Sequence, residues 1–170
     1  QCMPLRYTDP NITDVNSCMS RYAHAILMAA EAYNEIGETS MAWTLLNEVR
    51  DRANATAVYS LQDYRTYQSL PDLPFFNGGT AQDNFRTALY WERGFELAFE
   101  GMRRYDLLRW GILRDALDMT GNNTVANTEG STRAYLAGDN FQTGKHELFP
   151  IPLDEIQANP LLENTNNPNY

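Results

Sequence analysis

Three glutamates, Glu92, Glu96 and Glu100, recur every four residues within the run WERGFELAFEGMRRYDLLRWG at 91–111. That spacing stacks their side chains on one helical face. Two neighbouring carboxylates are the equipment of a glycosidase, one as general acid and the other as base or nucleophile across a glycosidic bond. The same run carries Arg93, Arg103, Arg104 and Arg109. An acid catalyst must keep its proton near neutral pH, whereas an adjacent guanidinium favours the ionised carboxylate. Each glutamate has an arginine within a helical turn or so, and no nucleophile motif accompanies them. Structural ion pairing therefore outweighs catalysis, and no catalytic residue is assigned. Aromatic neighbours imply that part of this network is buried, where a lone charge is expensive and a bidentate Arg–Glu pair is tolerable.

The element that must position these groups spans residues 85–118. Ala88, Trp91, Phe95, Ala98, Met102 and Tyr105 fall at helical spacing and predict one long buried face, with Gly101 as the place to break or bend it. Upstream, Ser17 or Ser20 can cap a helix running to about Ile36, with Ala23, Ile26, Leu27, Ala30 and Tyr33 inward. Gly37 ends it, and Thr39 or Ser40 starts a second helix with the stripe Met41, Ala42, Leu45, Leu46 and Val49. The expected product is an antiparallel hairpin, brought close by its alanines. It resembles one tetratricopeptide unit, although only one copy is visible.

Residues 55–83 change character: Tyr59, Tyr64, Tyr67, Phe75 and Phe76 are interspersed with Pro71, Pro74, Gly78 and Gly79. The pattern predicts a short helix near 61–70 and then a loop. Flat rings on a semi-rigid loop suit a pyranose face, with amides and carboxylates bonding the hydroxyls. The same rings can equally be apolar anchors pinning the loop, which is the commoner use. If ligand surface lies in this chain, Tyr64, Tyr67, Phe75 and Phe76 are its candidate ligand-binding residues. Residues 120–144 are rich in Asn, Thr and Gly and read as a long connection anchored by Tyr135 and Phe141. In the tail, Pro150 and Pro152 enforce an extended strap, Phe149 and Ile151 are expected to bury on the helical body, and 153–158 form a short helix stopped before Pro160.

With a net charge of −9 and a single lysine, Lys145, the chain lacks the basic stripe of a nucleic-acid groove or a polybasic membrane patch. No apolar run is long enough to span a bilayer. His24 and His146 have no cysteine or carboxylate at ligand spacing, so no metal or cofactor is expected. Cys2 and Cys18 can form one disulfide in an oxidising compartment, and two cysteines decide little more.

The run 91–111 resembles the signature of the SusD/RagB family of Bacteroidetes outer-membrane lipoproteins. The matching positions are Glu92, Arg93, Glu96, Leu97, Ala98, Glu100, Gly101, Arg103, Asp106, Leu107, Arg109, Trp110 and Gly111. Residues 22–54, and Leu148-Phe149-Pro150-Ile151-Pro152 with Glu155-Ile156 and Asn159-Pro160 toward Tyr170, are also similar to the family's pattern. Gly94, Phe95 and Met102 are mild departures.

The resemblance implies an all-α fold of tetratricopeptide-like hairpins with long irregular loops and an extended C-terminal strap. It implies that residues 1–170 are the C-terminal portion of such a domain: hairpin 18–54, aromatic loop 55–83, helical stretch 84–119, and loop with strap 120–170. It further implies a surface-exposed protein of the outer membrane, lipid-anchored through a residue upstream, since Cys2 follows Gln1 and not a small residue. Such a protein binds an oligosaccharide, a polysaccharide or, in some members, a peptide, without chemistry. It delivers that nutrient to a SusC-like TonB-dependent transporter. Two other classes compete: a tetratricopeptide-type peptide-binding scaffold, which needs more repeats, and a glycoside hydrolase using two of the three glutamates, which needs an unpaired carboxylate.

Overall fold

The computed structural model describes residues 20–67, 70–121, 125–126, 132–133, 138–162 and 165–170. Cys2, Cys18, Ser17 and Tyr135 lie outside them. Helices α1 (Tyr22–Glu35) and α2 (Thr39–Arg52) form the hairpin, turned by Gly37 in the left-handed region. Their inner faces meet through Leu27, Ala30, Ala42, Leu46 and Val49, all nearly inaccessible. Helix α4 (Ala81–Glu96) lies against both, and α3 (Leu61–Tyr67) packs on α4. Thr80 caps α4, its hydroxyl accepting from the Asp83 amide at 3.0 Å.

Two details of the hairpin depart from the sequence expectation. The residue capping α1 is Arg21, which makes no side-chain cap bond, and the Ser20 hydroxyl lies 3.3 Å from His24 Nδ1. Tyr33 and Met41 face outward, and Asn34 takes the buried place next to Tyr33. Asn34 is tolerated there because its polar atoms are used. Its Nδ2 donates to the Gln82 carbonyl at 3.2 Å and its Oδ1 accepts from Thr39 Oγ1 at 3.0 Å, while Gln82 Nε2 returns a bond to the Asn34 carbonyl at 2.8 Å. The corner of the hairpin is thus bolted to the first turn of α4.

The helical stretch expected over 85–118, with a break or bend at Gly101, is three helices: α4, α5 (Arg103–Arg109) and α6 (Leu113–Gly121). The chain leaves α4 at Leu97, and Phe99 (φ 64°) and Gly101 (φ 77°) adopt left-handed backbone, so no single face continues through 105. The buried side of α4 is Phe85, Ala88, Leu89, Glu92 and Arg93, at steps of three and four, whereas Phe95, Ala98 and Tyr105 are exposed. Apolar residues on this stretch serve two cores. One joins the hairpin to Val58, Tyr64, Phe85 and Leu89; the other gathers Leu73, Phe75, Tyr90, Leu107, Ile112, Leu113, Ala116 and Phe141. Trp91 and Trp110 pack against both.

Within the connection after α6, Val125–Ala126 and Thr132–Arg133 (β1 and β2) pair antiparallel, the only ladder among the described residues. The chain then returns to α6 at Gly138, where a Cβ would meet the Asp118 backbone at 3.0 Å, and Phe141 enters the second core as expected. Helix α7 (Leu153–Ala158) ends before Pro160, where a 3₁₀ turn (Pro160–Leu162) follows. The strap itself departs from expectation, since Phe149 is exposed and Ile151 half-buried. Polar contacts hold it instead of apolar insertion. Arg104 stacks over the Phe149 ring at 4.2 Å, Asn167 Nδ2 donates to the Phe149 carbonyl, Asn166 Oδ1 accepts from the Ile151 amide, and Tyr170 donates to the Leu148 carbonyl.

Candidate functional site

Each glutamate of the ladder is paired with arginine, but not with those expected. Glu92 Oε2 accepts from Arg50 Nη1 at 2.8 Å and from the Tyr64 hydroxyl at 3.0 Å. Glu96 Oε1 takes Arg21 Nη1 at 2.8 Å and Arg52 Nη2 at 2.6 Å; Glu100 takes Arg21 Nε through both oxygens at 2.8 and 2.9 Å. Of the three arginines, Arg50 and Arg52 belong to α2 and Arg21 is the residue capping α1. The reason is geometric: Glu92 and Glu96 face the hairpin, while the arginines of the run point elsewhere. Arg103 stacks over Tyr90 at 3.8 Å and bonds its carbonyl, and Arg104 bonds the carbonyls of His146 and Glu147.

Arg93 and Asp106 form the most buried pair, with side chains 1% and 4% exposed. Nε and Nη2 each reach one carboxylate oxygen at 2.8 Å, and Nη1 has no hydrogen-bond partner. Arg109 joins Asp106 to Glu31, and the Trp110 indole donates to the same Glu31 at 2.7 Å.

Electrostatics follow from these contacts. The hydrogen bond from Arg21, partly offset by desolvation, holds Glu100 below its ordinary 4.5, and the same bonds raise Arg21 above its ordinary range. Burial, then the Glu92 charge, pushes the Tyr64 phenol well up, so it remains a donor to Glu92. A general acid at neutral pH needs the opposite arrangement, a carboxyl raised by desolvation with no cation against it. What these residues do chemically is clamp α4 to the hairpin.

Open surface lies on the other side of α1. One cavity of about 430 Å³ runs between α1 and α5, lined by Met28, Glu31, Ala32, Met102, Tyr105 and Arg93 among others. A second of about 200 Å³ is lined by Glu31, Glu35, Phe76, Arg86, Leu89 and Trp110. Glu31 and Glu35 belong to both, so the two form one trough along α1. Arg86 clamps Glu35 through Nε at 2.8 Å and Nη2 at 2.5 Å, and Asp83 through Nη1 at 2.7 Å. The Arg86 bond, opposed by desolvation, holds Glu35 below its ordinary value; the Thr80 and Arg86 bonds do the same for Asp83.

Carboxylates with depressed values contribute stability that is complete above their ordinary pKa and is lost as pH falls through the depressed one. Glu35, Asp83, Glu100 and Glu147 all shift down. The thermal midpoint is therefore expected to fall below about pH 4. High salt should shrink that fall, since the groups are largely solvent-screened. A midpoint that rises on acidification would contradict these pairings.

The four aromatic residues singled out from the sequence do not form one surface. Tyr64 is 1% exposed, its ring in the hairpin core and its hydroxyl on Glu92. Phe75 is buried in the second core against Tyr90, with ring centroids 5.1 Å apart. Tyr67 ends α3, and its side chain lies outside the described residues. Phe76, at φ 57°, is half-buried, meets Trp110 edge-on at 6.0 Å and lines the smaller cavity. Sequence reasoning missed Glu31, Glu35, Arg86 and Trp110 as cavity residues. The available signal was a pair of carboxylates four apart on the otherwise Ala-rich α1.

A model of the SusD family matches the chain over residues 6–170. The chain belongs to the SusD family. SusD-like protein P25 of Formosa agariphila is 39% identical over 148 residues, covering 86% of this chain and 23% of that protein. SusD-like protein P2 of the same organism is 30% identical over 161 residues, covering 93% of this chain and 26% of that protein. A crystal structure of a SusD homolog from Bacteroides thetaiotaomicron superposes with a TM-score of 0.61 at 31% identity, over 88% of this chain and 26% of that one. The chain thus spans about a quarter of the length of the SusD-family relatives it matches. The all-α, tetratricopeptide-like fold expected of the family is the one observed.

Proposed function

We propose that this SusD-family chain forms part of a cell-surface glycan-binding protein of the outer membrane. That protein is lipid-anchored in its precursor, binds oligosaccharide or polysaccharide without chemistry, and delivers it to a SusC-like TonB-dependent transporter. Family membership supports the glycan. The observation that carries the binding reading over hydrolysis is the arginine occupancy of Glu92, Glu96 and Glu100, which leaves none of the three free to act as a general acid. Within this chain, Phe76 with Trp110, flanked by Glu31, Glu35 and Arg86, is the aromatic corner best suited to a sugar ring.

Calorimetric titration of the chain against starch, plant, fungal and host glycans tests this. A glycan seated at this corner is expected to lose roughly tenfold in affinity on Phe76→Ala, the worth of one ring contact. Unchanged affinity would move the contact away from this corner; silence across the whole panel would remove glycan binding from this chain.

A further inference from the structure

Among the arginines whose side chains are described, all but Arg103 and Arg104 pair with a carboxylate. Arg104 is engaged by the strap, over the Phe149 ring and on the carbonyls of His146 and Glu147. Arg103, half-buried, is held differently. Its Nη1 donates to the Tyr90 carbonyl at 2.8 Å and its head lies 3.8 Å from the Tyr90 ring centre. A Cβ on Gly94 would stand 3.5 Å from the same guanidinium carbon, so the head is seated against α4. Nε and Nη2 bond no described residue. Arg93 Nη1 is the single buried side-chain nitrogen or oxygen left unbonded among the described residues, so both of those Arg103 atoms are open to water.

Nε and Nη2 form the guanidinium edge that takes both oxygens of a carboxylate. Arg86 uses this edge on Glu35, and Arg93 uses it on Asp106. In Arg103 the edge is fixed in advance by the bond from Nη1, and a fork already fixed loses little freedom when an acceptor arrives. A row of rings continues from it. Tyr90 meets Trp91 edge-on at 5.1 Å, and Trp91 stacks with Phe95 at 6.1 Å and 19°. Trp91 is half-buried and Phe95 is 48% exposed, so the row ends in a ring at the surface. Gly94 and Phe95 are consecutive, with Cα atoms about 3.8 Å apart, a step that a pyranose and the carboxylate on its C5 can span. The net charge of −9 offers an anion no general attraction, so an acidic ligand depends on this local fork.

We propose that Arg103, Trp91 and Phe95 bind a uronic acid residue of an acidic glycan. Its carboxylate takes the Nε–Nη2 edge of Arg103, and its pyranose face lies on Phe95, which Trp91 backs. This rests on the glycan-binding reading and adds to it a class of sugar and a second position.

The test titrates the full 170-residue chain with trigalacturonate and trimannuronate, and with the methyl ester of each, which keeps the rings and removes the charge. At least one acid is expected to bind, roughly tenfold or more tighter than its ester. Arg103→Gln, which removes the fork, and Phe95→Ala, which removes the exposed ring, are each expected to weaken it roughly tenfold or more. Phe95→Ala should keep the parent melting midpoint, so it reads binding whether or not Arg103→Gln folds. The Arg103 Nε resonance should shift on adding the acid and stay put with the ester. Equal affinity for acid and ester, or parent-like binding by Phe95→Ala, would overturn the proposal. So would equally tight binding of triglutamate, which would make the fork a site for acidic peptide. Absence of binding to both acids would overturn it as well, and binding of a neutral glycan from the wider panel would then leave the general reading standing.

Discussion

Asp106→Ala is expected to destabilise the chain by about 3–5 kcal/mol, the cost of leaving one member of a buried ion pair alone. Among the described residues Asp106 is the sole side-chain acceptor for Arg93, whose Nη1 is already unmatched, so the variant would strand a full positive charge in an enclosed site. Arg109 would lose its second carboxylate as well, although its side chain is 42% exposed and water can replace that contact. For a chain of this size the change corresponds to a fall of roughly 6–20 °C in thermal midpoint. Arg93→Met combined with Asp106→Leu should recover much of it, because the charge and its partner leave together. A midpoint within about 2 °C of the parent for Asp106→Ala would show that the pair does not hold α4 to α5.

Glu92→Leu is expected to cost a similar amount, about 3–5 kcal/mol, for a related reason. It removes the carboxylate that Arg50 and Tyr64 share, and both are buried. Arg50 keeps only the Thr56 carbonyl on its Nε, and the Tyr64 hydroxyl is left without its acceptor. Arg50→Met alone should also be costly, since Glu92 would then hold a buried charge against a phenol only. The double variant is expected to fall short of the sum by about 2–3 kcal/mol, which a double-mutant cycle in urea would read directly. Additive single effects would mean that the two side chains do not interact in solution.

These two pairs also show how much of the molecule was legible beforehand. The hairpin followed from alanines and leucines at helical steps, and Leu27, Ala30, Ala42, Leu46 and Val49 sit where those steps put them. The ionic character of the run 91–111 was equally plain in its composition. Which arginine met which glutamate was not, because Arg21, Arg50 and Arg52 are some 42 to 79 residues from their carboxylates in sequence. Local spacing favours neighbours on one helix; the tertiary fold turned Glu92 and Glu96 toward another. Nor could periodicity reveal that the stretch divides after Glu96, since the break rests on left-handed backbone at Phe99, a residue type that rarely adopts it.

The candidate site was less legible still. Aromatic rings between prolines and glycines suit a sugar platform and a loop anchor alike, and burial separates the two. Tyr64 and Phe75 went to the cores, leaving Phe76 at a cavity edge. The trough along α1 arises from α5 and Trp110 meeting the polar side of α1, a juxtaposition set by the turn at 97–102. No window of the sequence contains it.

The role proposed for this SusD-family chain is to bind glycan and leave it intact. The most direct measurement incubates the folded chain with each glycan that gives a calorimetric binding isotherm and follows reducing ends and chain length over a day at neutral pH. Saturable binding and an unaltered glycan are expected, with no new reducing ends from the parent protein or from Glu92→Gln, Glu96→Gln or Glu100→Gln. Steady release of shorter saccharides by the parent, abolished by one of those three substitutions, would contradict it and make the arginine-clamped ladder a catalytic pair after all.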